Sequence, residues 1–195
     1  LYERYRHFAG AKDKGCIIIP TELIEDNGTQ LREMILRYAT QWQLEAGFAR
    51  WVLEHNLFCN TLVDRIVPGF PAERKTQFLA ELGYDDQMLV MGEPYHLWVI
   101  AAPATLKREF PVEKTALNVK IVDDVTPYRL TKIRILNGLH TSMLLVGYLL
   151  GLETVRECVD HPLLGQFLRA EVFQEIIPAI DLPQTELEQF AHDVF

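Results

Sequence analysis

The feature that most constrains this chain is a change of texture at Thr126-Pro127. Threonine caps helices and proline suits their first turn, so the pair predicts a helix start. From there to Phe195 only helical spacing is seen, broken near Gly151, at His161-Pro162 and between Pro178 and Pro183. Before it, short apolar runs alternate with helical patterns. Cys16-Ile17-Ile18-Ile19-Pro20 reads as a short buried strand, and residues 96–101 and 118–122 read as two more. Asn27-Gly28 reads as a turn, and helices are expected over residues 29–40, 48–57 and 71–82. The chain should therefore divide near residue 125 into a mixed α/β part and an all-helical part.

The ends carry patterns of their own. Tyr2, Tyr5 and Phe8 are spaced for one helical face that closes at Gly10. Thr185 and Glu188 form a capping-box pattern after Pro183, followed by Leu187, Phe190, Ala191, Val194 and Phe195 on one face. Both ends read as cuts inside a longer protein.

Composition narrows the class. Of 195 residues, 49% are hydrophobic and 24% charged, enough to bury a core. The net charge of -8, without a basic run, argues against nucleic acid or an anionic membrane surface as partner. The longest apolar run, Met143 to Leu152, is about half of the roughly 20 residues a bilayer crossing needs. Cys16, Cys59 and Cys158 form no CxxC pair, and a reducing compartment, the cytoplasm, fits them best. His55, His161 and Cys158 lack metal-ligand spacing, so no metal is assigned. No Walker loop, GxSxG elbow, HExxH or GxGxxG is present.

The sharpest polar constellation is Lys132-Ile133-Arg134-Ile135-Leu136-Asn137-Gly138-Leu139-His140. On an α-helix Lys132, Asn137 and His140 fall within an arc of roughly 140°. An amine, a carboxamide and an imidazole on an otherwise apolar helix need partners if buried. Together they suit carbonyl or alcohol chemistry. A partly desolvated Lys exchanges a proton near neutral pH, an Asn amide donates to a developing oxyanion, and a His orients a hydroxyl. The same residues also suit a surface Lys, a satisfied core Asn and an interhelical His. A second polar stretch, Asn60-Thr61-Leu62-Val63-Asp64-Arg65, puts hydrogen-bonding and charged side chains in an apolar context and, taken alone, reads as a capped loop with an Asp–Arg ion pair. Glu93-Pro94-Tyr95-His96 reads as a turn before the strand at 96–101.

With Phe58 to Pro68, Glu93 to Ile100 and Lys132 to His140 taken together, in that order, the chain resembles the mannitol dehydrogenase family of polyol-specific long-chain dehydrogenases/reductases. Pro20 to Gly28 and Gly147 to Glu157 support the likeness, which covers essentially the whole chain. The resemblance implies a two-domain enzyme of more than twice this length. Residues 1–125 would be the C-terminal part of a Rossmann-type NAD-binding domain, and 126–195 the N-terminal part of a helical substrate domain. The cofactor would be NAD, and its glycine-rich fingerprint would lie upstream of Leu1. Lys132 would match the general acid/base, Asn137 and Asn60 the oxyanion-side donors, and His140 a substrate-binding residue. The stretch Ala101-Ala102-Pro103 lacks an acidic residue of the mannitol-specific branch, which suits a small sugar acid, a keto-uronic acid, as substrate. A mannitol or fructuronate oxidoreductase with the same machinery, and a helical interaction module without catalysis, are the competing readings.

Overall fold

A computed structural model describes residues 1–195, which divide by their contacts into Leu1–Val125 and Thr126–Phe195. In the first unit, α1 (Tyr2–His7) precedes β1 (Ile17–Ile18), α2 (Asn27–Gln41) and α3 (Ala46–His55). Then come β2 (Leu57–Phe58), β3 (Asn60–Asp64), α4 (Lys75–Leu82), β4 (Leu97–Ala101), α5 (Leu106–Glu109) and β5 (Val119–Val122). β1 and β2 pair in parallel. β4 lies between β3 and β5, antiparallel to the first and parallel to the second.

The extended segment from Leu57 to Asp64 ties these sheets together. Alternate N–H groups of a strand point to the same edge. On that edge Leu57 donates to the Cys16 carbonyl and Cys59 to the Ile18 carbonyl, both at 2.9 Å. The next donor, the Thr61 N–H, meets the Asn27 side-chain oxygen at 2.9 Å instead. A carboxamide carries both an acceptor and donors, so Asn27 continues the ladder where β1 has ended.

Asn27-Gly28 is thus the start of α2 and not a free turn. Gly28 is required by close approach: a Cβ there would lie 2.3 Å from the Cys59 carbonyl oxygen. The expected strand over 16–20 shortens to Ile17–Ile18 because Pro20 supplies no ladder donor. Residues 60–64 form a strand, contrary to the loop reading, and Asn60 pairs with Ala101 and Asp64 with Leu97. Its period-2 signal is hidden because the buried residue is a polar one, Thr61, whose hydroxyl donates to the Pro20 carbonyl at 2.5 Å. One small core gathers Cys59, Ile100 and Leu106, and another Phe48, Trp51 and Val52.

The second unit is helical throughout: α6 (Thr126–Thr131), a first π-turn π1 (Lys132–Asn137), α7 (Gly138–Leu149), α8 (Val155–Asp160) and α9 (Pro162–Ala170). A second π-turn, π2 (Glu171–Ile176), a 3₁₀ turn (Ile177–Ala179) and α10 (Gln184–Val194) complete it. The observed capping box is Thr154 with Glu157, at the start of α8. Thr185 and Glu188 do not form one: α10 begins at Gln184, so Thr185 already lies inside its first turn, and Pro183 caps without a side-chain bond. His161 caps α9, with its Nδ1 accepting from the Leu164 N–H at 3.2 Å ahead of Pro162. Ile135, Leu139, Met143, Leu164, Leu168 and Leu187 are the buried centre. Each such side chain contributes about 1.5–3 kcal/mol by leaving water.

Candidate active site

The helix that carries Lys132, Asn137 and His140 is not α-helical where they lie. Lys132–Asn137 is a π-turn, and the Gly138 N–H reaches back to the Ile133 carbonyl, five residues earlier. In a π-turn the backbone hydrogen bond spans five residues, and the wider winding brings residues five apart nearer to one face than an α-helix does. Lys132 and Asn137 have that spacing, so the turn brings toward one face two positions that an α-helix would splay by roughly 140°. His140 follows Asn137 by three residues on α7 and shares its face. The arc of roughly 140° expected for α geometry closes to roughly 60°. Ile135 and Leu139 are buried, which turns that polar stripe away from the core. Lys132 is half-buried, and Asn137 and His140 are exposed.

Asn60 belongs to the first unit, on β3. Its side-chain oxygen accepts from the Thr29 N–H at 2.9 Å, capping the first turn of α2. Its Nδ2 donates to the Thr29 hydroxyl at 3.2 Å and to an Asp26 carboxylate oxygen at 3.5 Å. One amide proton is well held, and the other makes only the long contact, so the donor face toward Asp26 is the part of Asn60 open to a further acceptor. The sequence reading did not anticipate Asn27 or Thr29, which fix this neighbourhood. Asn27 is 2% exposed and its Nδ2 donates to Thr61 Oγ1 at 2.9 Å and to the Glu22 carbonyl at 3.0 Å. The signal was present in Asn27-Gly28, whose turn-like composition concealed a close-packed helix start.

Elsewhere the titratable groups respond to local causes. Burial pushes the Cys59 thiol up. Backbone N–H groups of Glu153 and Thr154 hold the Glu157 carboxyl below its usual range. Glu93 turns back through its side chain to accept from the Ile66 N–H at 2.6 Å, while Arg65 Nε donates to the Glu93 carbonyl at 2.9 Å. No helix is long and apolar enough to cross a membrane.

A sheet-bearing α/β unit followed by a helical unit with a lysine–carboxamide–imidazole stripe defines the class: a mixed α/β unit and an all-helical unit in one chain. Comparison with known proteins specifies it. Residues 1–114 match the mannitol dehydrogenase Rossmann domain and residues 124–195 the mannitol dehydrogenase C-terminal domain. The chain belongs to the mannitol dehydrogenase family. It is 51% identical over 194 residues to an altronate oxidoreductase of Bacillus subtilis and 47% identical to one of Yersinia enterocolitica, in each case over 100% of this chain and 40% of the relative. Among solved structures it is similar to a D-sorbitol dehydrogenase in substrate-free form, with TM-score 0.77 and 29% identity over 98% of this chain and 38% of that one. It is also similar to a Pseudomonas fluorescens mannitol 2-dehydrogenase in ternary complex with NAD and D-mannitol, with TM-score 0.59 and 29% identity over 91% and 36% of the two chains. The chain thus spans about two fifths of the length of the curated relatives it matches.

Proposed function

We propose that this chain is part of an NAD-dependent oxidoreductase that reduces a keto-uronic acid, tagaturonate to altronate, in the cytoplasm. Residues 1–125 are read as the C-terminal part of the NAD-binding domain, and 126–195 as the N-terminal part of the helical substrate domain. The observation that carries this reading is the π-turn, which gathers Lys132, Asn137 and His140 on one face in a chain whose curated relatives at 46–51% identity are altronate oxidoreductases.

The cofactor's glycine-rich GxGxxG turn for the pyrophosphate does not occur among these residues. The cofactor, when bound, is the source of the hydride. What this chain adds is the other half of the chemistry. Lys132 gives its proton to the carbonyl oxygen in reduction and takes it from the hydroxyl in oxidation. Asn137, one turn along, donates to the oxygen as negative charge builds on it. Asn60 is proposed as the second donor, through the amide proton that makes only the long Asp26 contact. Losing one such donor lowers turnover by about 10²–10³-fold. His140 holds a neighbouring substrate hydroxyl.

In the intact enzyme Lys132→Ala should abolish most turnover of tagaturonate while NADH binding, followed by its fluorescence, stays close to wild type. Near-normal turnover removes Lys132 from the mechanism. Preference for fructose or fructuronate over tagaturonate would reassign the substrate within the family.

A further inference from the structure

The first turn of α2 is capped from outside the helix. A residue in the N-cap position is normally extended, which lets its side-chain oxygen accept from the N–H two or three residues on. Asp26 holds that position but is left-handed, with φ 51° and ψ 41°, and makes no side-chain cap bond. The N–H it would meet three residues on belongs to Thr29, and Asn60 of β3 takes it instead.

Two contacts to this one residue fix the Asn60 carboxamide. A backbone N–H only donates, so the end of the amide that meets the Thr29 N–H at 2.9 Å is the oxygen. The nitrogen lies on the other side, where the Thr29 hydroxyl accepts one of its protons at 3.2 Å. The oxygen alone completes the cap, so the hydroxyl bond adds nothing to it. What the hydroxyl fixes is the nitrogen. With one proton on Thr29, the second is directed toward Asp26, where it makes only the 3.5 Å contact. Accepting at one end and donating at the other also polarises a carboxamide, which strengthens that second proton as a donor.

We propose that Thr29 is a positioning residue. Its N–H and its hydroxyl together hold the Asn60 carboxamide so that one amide proton meets the substrate oxygen as negative charge builds on it. Thr29 itself does not touch the substrate. This rests on the reading of Asn60 as an oxyanion donor.

The test uses the intact enzyme with tagaturonate and NADH. Thr29→Val keeps the backbone N–H and the side-chain shape but loses the hydroxyl. It should lower kcat about tenfold, a fraction of the about 10²–10³-fold lost with a whole donor, and leave KM for tagaturonate little changed. Thr29→Ala should repeat the loss and covers the case in which Thr29→Val does not fold. Thr29→Ser restores the hydroxyl and should recover most of kcat. Asn60→Ala supplies the background that separates positioning from support of the fold. There the hydroxyl has no carboxamide to orient, so adding Thr29→Val should lower kcat no further, whereas a residue that only supports the fold lowers it by the same factor in both backgrounds. Equal losses in the two backgrounds, a loss carried by KM alone, no recovery in Thr29→Ser, or full turnover by the folded Thr29→Val and Thr29→Ala variants overturns the positioning role. If Asn60→Ala still loses about 10²–10³-fold in that case, Asn60 stays in the mechanism without Thr29. Near-normal turnover by Asn60→Ala removes Asn60 from the mechanism, and Thr29 with it.

Discussion

Asn27→Ala is the substitution for which the structure allows the cost to be worked through. The Asn27 oxygen accepts from the Gly28 N–H at 2.8 Å and the Thr61 N–H at 2.9 Å. Both residues are buried, so water does not replace the lost acceptor. Each orphaned N–H costs about 1–3 kcal/mol. The Thr61 hydroxyl keeps its bond to the Pro20 carbonyl, and the exposed Glu22 carbonyl can turn to solvent, so neither adds much. The total is about 2–6 kcal/mol, a large part of the roughly 5–15 kcal/mol that holds a typical domain folded. With a urea slope of about 2 kcal/mol per molar, the midpoint should fall by about 1–3 M. Trp42, Trp51 and Trp98 all lie in the first unit, so tryptophan emission follows its unfolding directly. Asn27→Asp gives a second handle. It keeps the acceptor oxygen but sets a carboxylate oxygen against the Glu22 carbonyl, 3.0 Å from the atom it replaces. The variant should be destabilised at neutral pH and recover as acid protonates that oxygen and restores a donor. Stability of Asn27→Ala within about 1 kcal/mol of wild type would show that the side chain does not continue the ladder.

Other outcomes follow from single contacts. Gly28→Ala places a Cβ 2.3 Å from the Cys59 carbonyl, backbone that cannot swing aside, and should destabilise the first unit by about 1–3 kcal/mol or more, read from the same urea titration. The Glu157 carboxyl is held below its usual range by the Glu153 and Thr154 N–H groups, so its contribution is present above the unfolded-state value of about 4.3 and is lost as pH falls through the lower folded value. Wild type should therefore lose more stability on acidification below about pH 4.3 than Glu157→Gln, and the two should converge once the carboxyl is protonated. Cys59 is fully buried and its thiol is pushed up by that burial, whereas Cys16 is partly exposed. Under native conditions a thiol reagent should modify Cys16 first and reach Cys59 and Cys158 only as the chain unfolds, which peptide mass mapping would resolve.

Much of the architecture was legible in the residues because it follows hydrophobic period. β4 and β5 announce themselves as Leu97–Ala101 and Val119–Val122, apolar runs of strand length, and the helices of the second unit keep their 3.6-residue spacing between marked breaks. β3 was illegible for the converse reason. Its inward residue is Thr61, whose burial is made tolerable by Asn27 and Pro20, partners remote in sequence. Tertiary hydrogen bonds of that kind leave no periodic trace. The same holds for Asn60: its residue type was visible, but the lock on Thr29 depends on how α2 lies across β3.

The π-turn is the part of the site that periodicity could not supply. Ile135, Leu139 and Met143 succeed one another at intervals of four, which an α-helix satisfies well, and nothing in that stripe asks for a wider turn. The polar residues do. Lys132 and Asn137 are five apart, a spacing that α geometry splays and π geometry brings closer to one face. The apolar stripe therefore anchors the helix to its core, and the π-turn changes which residues share the exposed face between the anchors. In the proposed mechanism proton donor and oxyanion donor must meet one oxygen, so the less favourable winding is what the chemistry would require. The second π-turn sets Glu171 with one oxygen on Ser142 and the other unsatisfied. The two π-turns thus border one cavity, and the 3₁₀ turn Ile177–Ala179 that follows the second reaches it through Ala179. Ile135 in the first π-turn and Val172 in the second nevertheless stay buried in the same apolar centre as α8, α9 and α10, so the wider winding changes the exposed face without lifting the helix off its core.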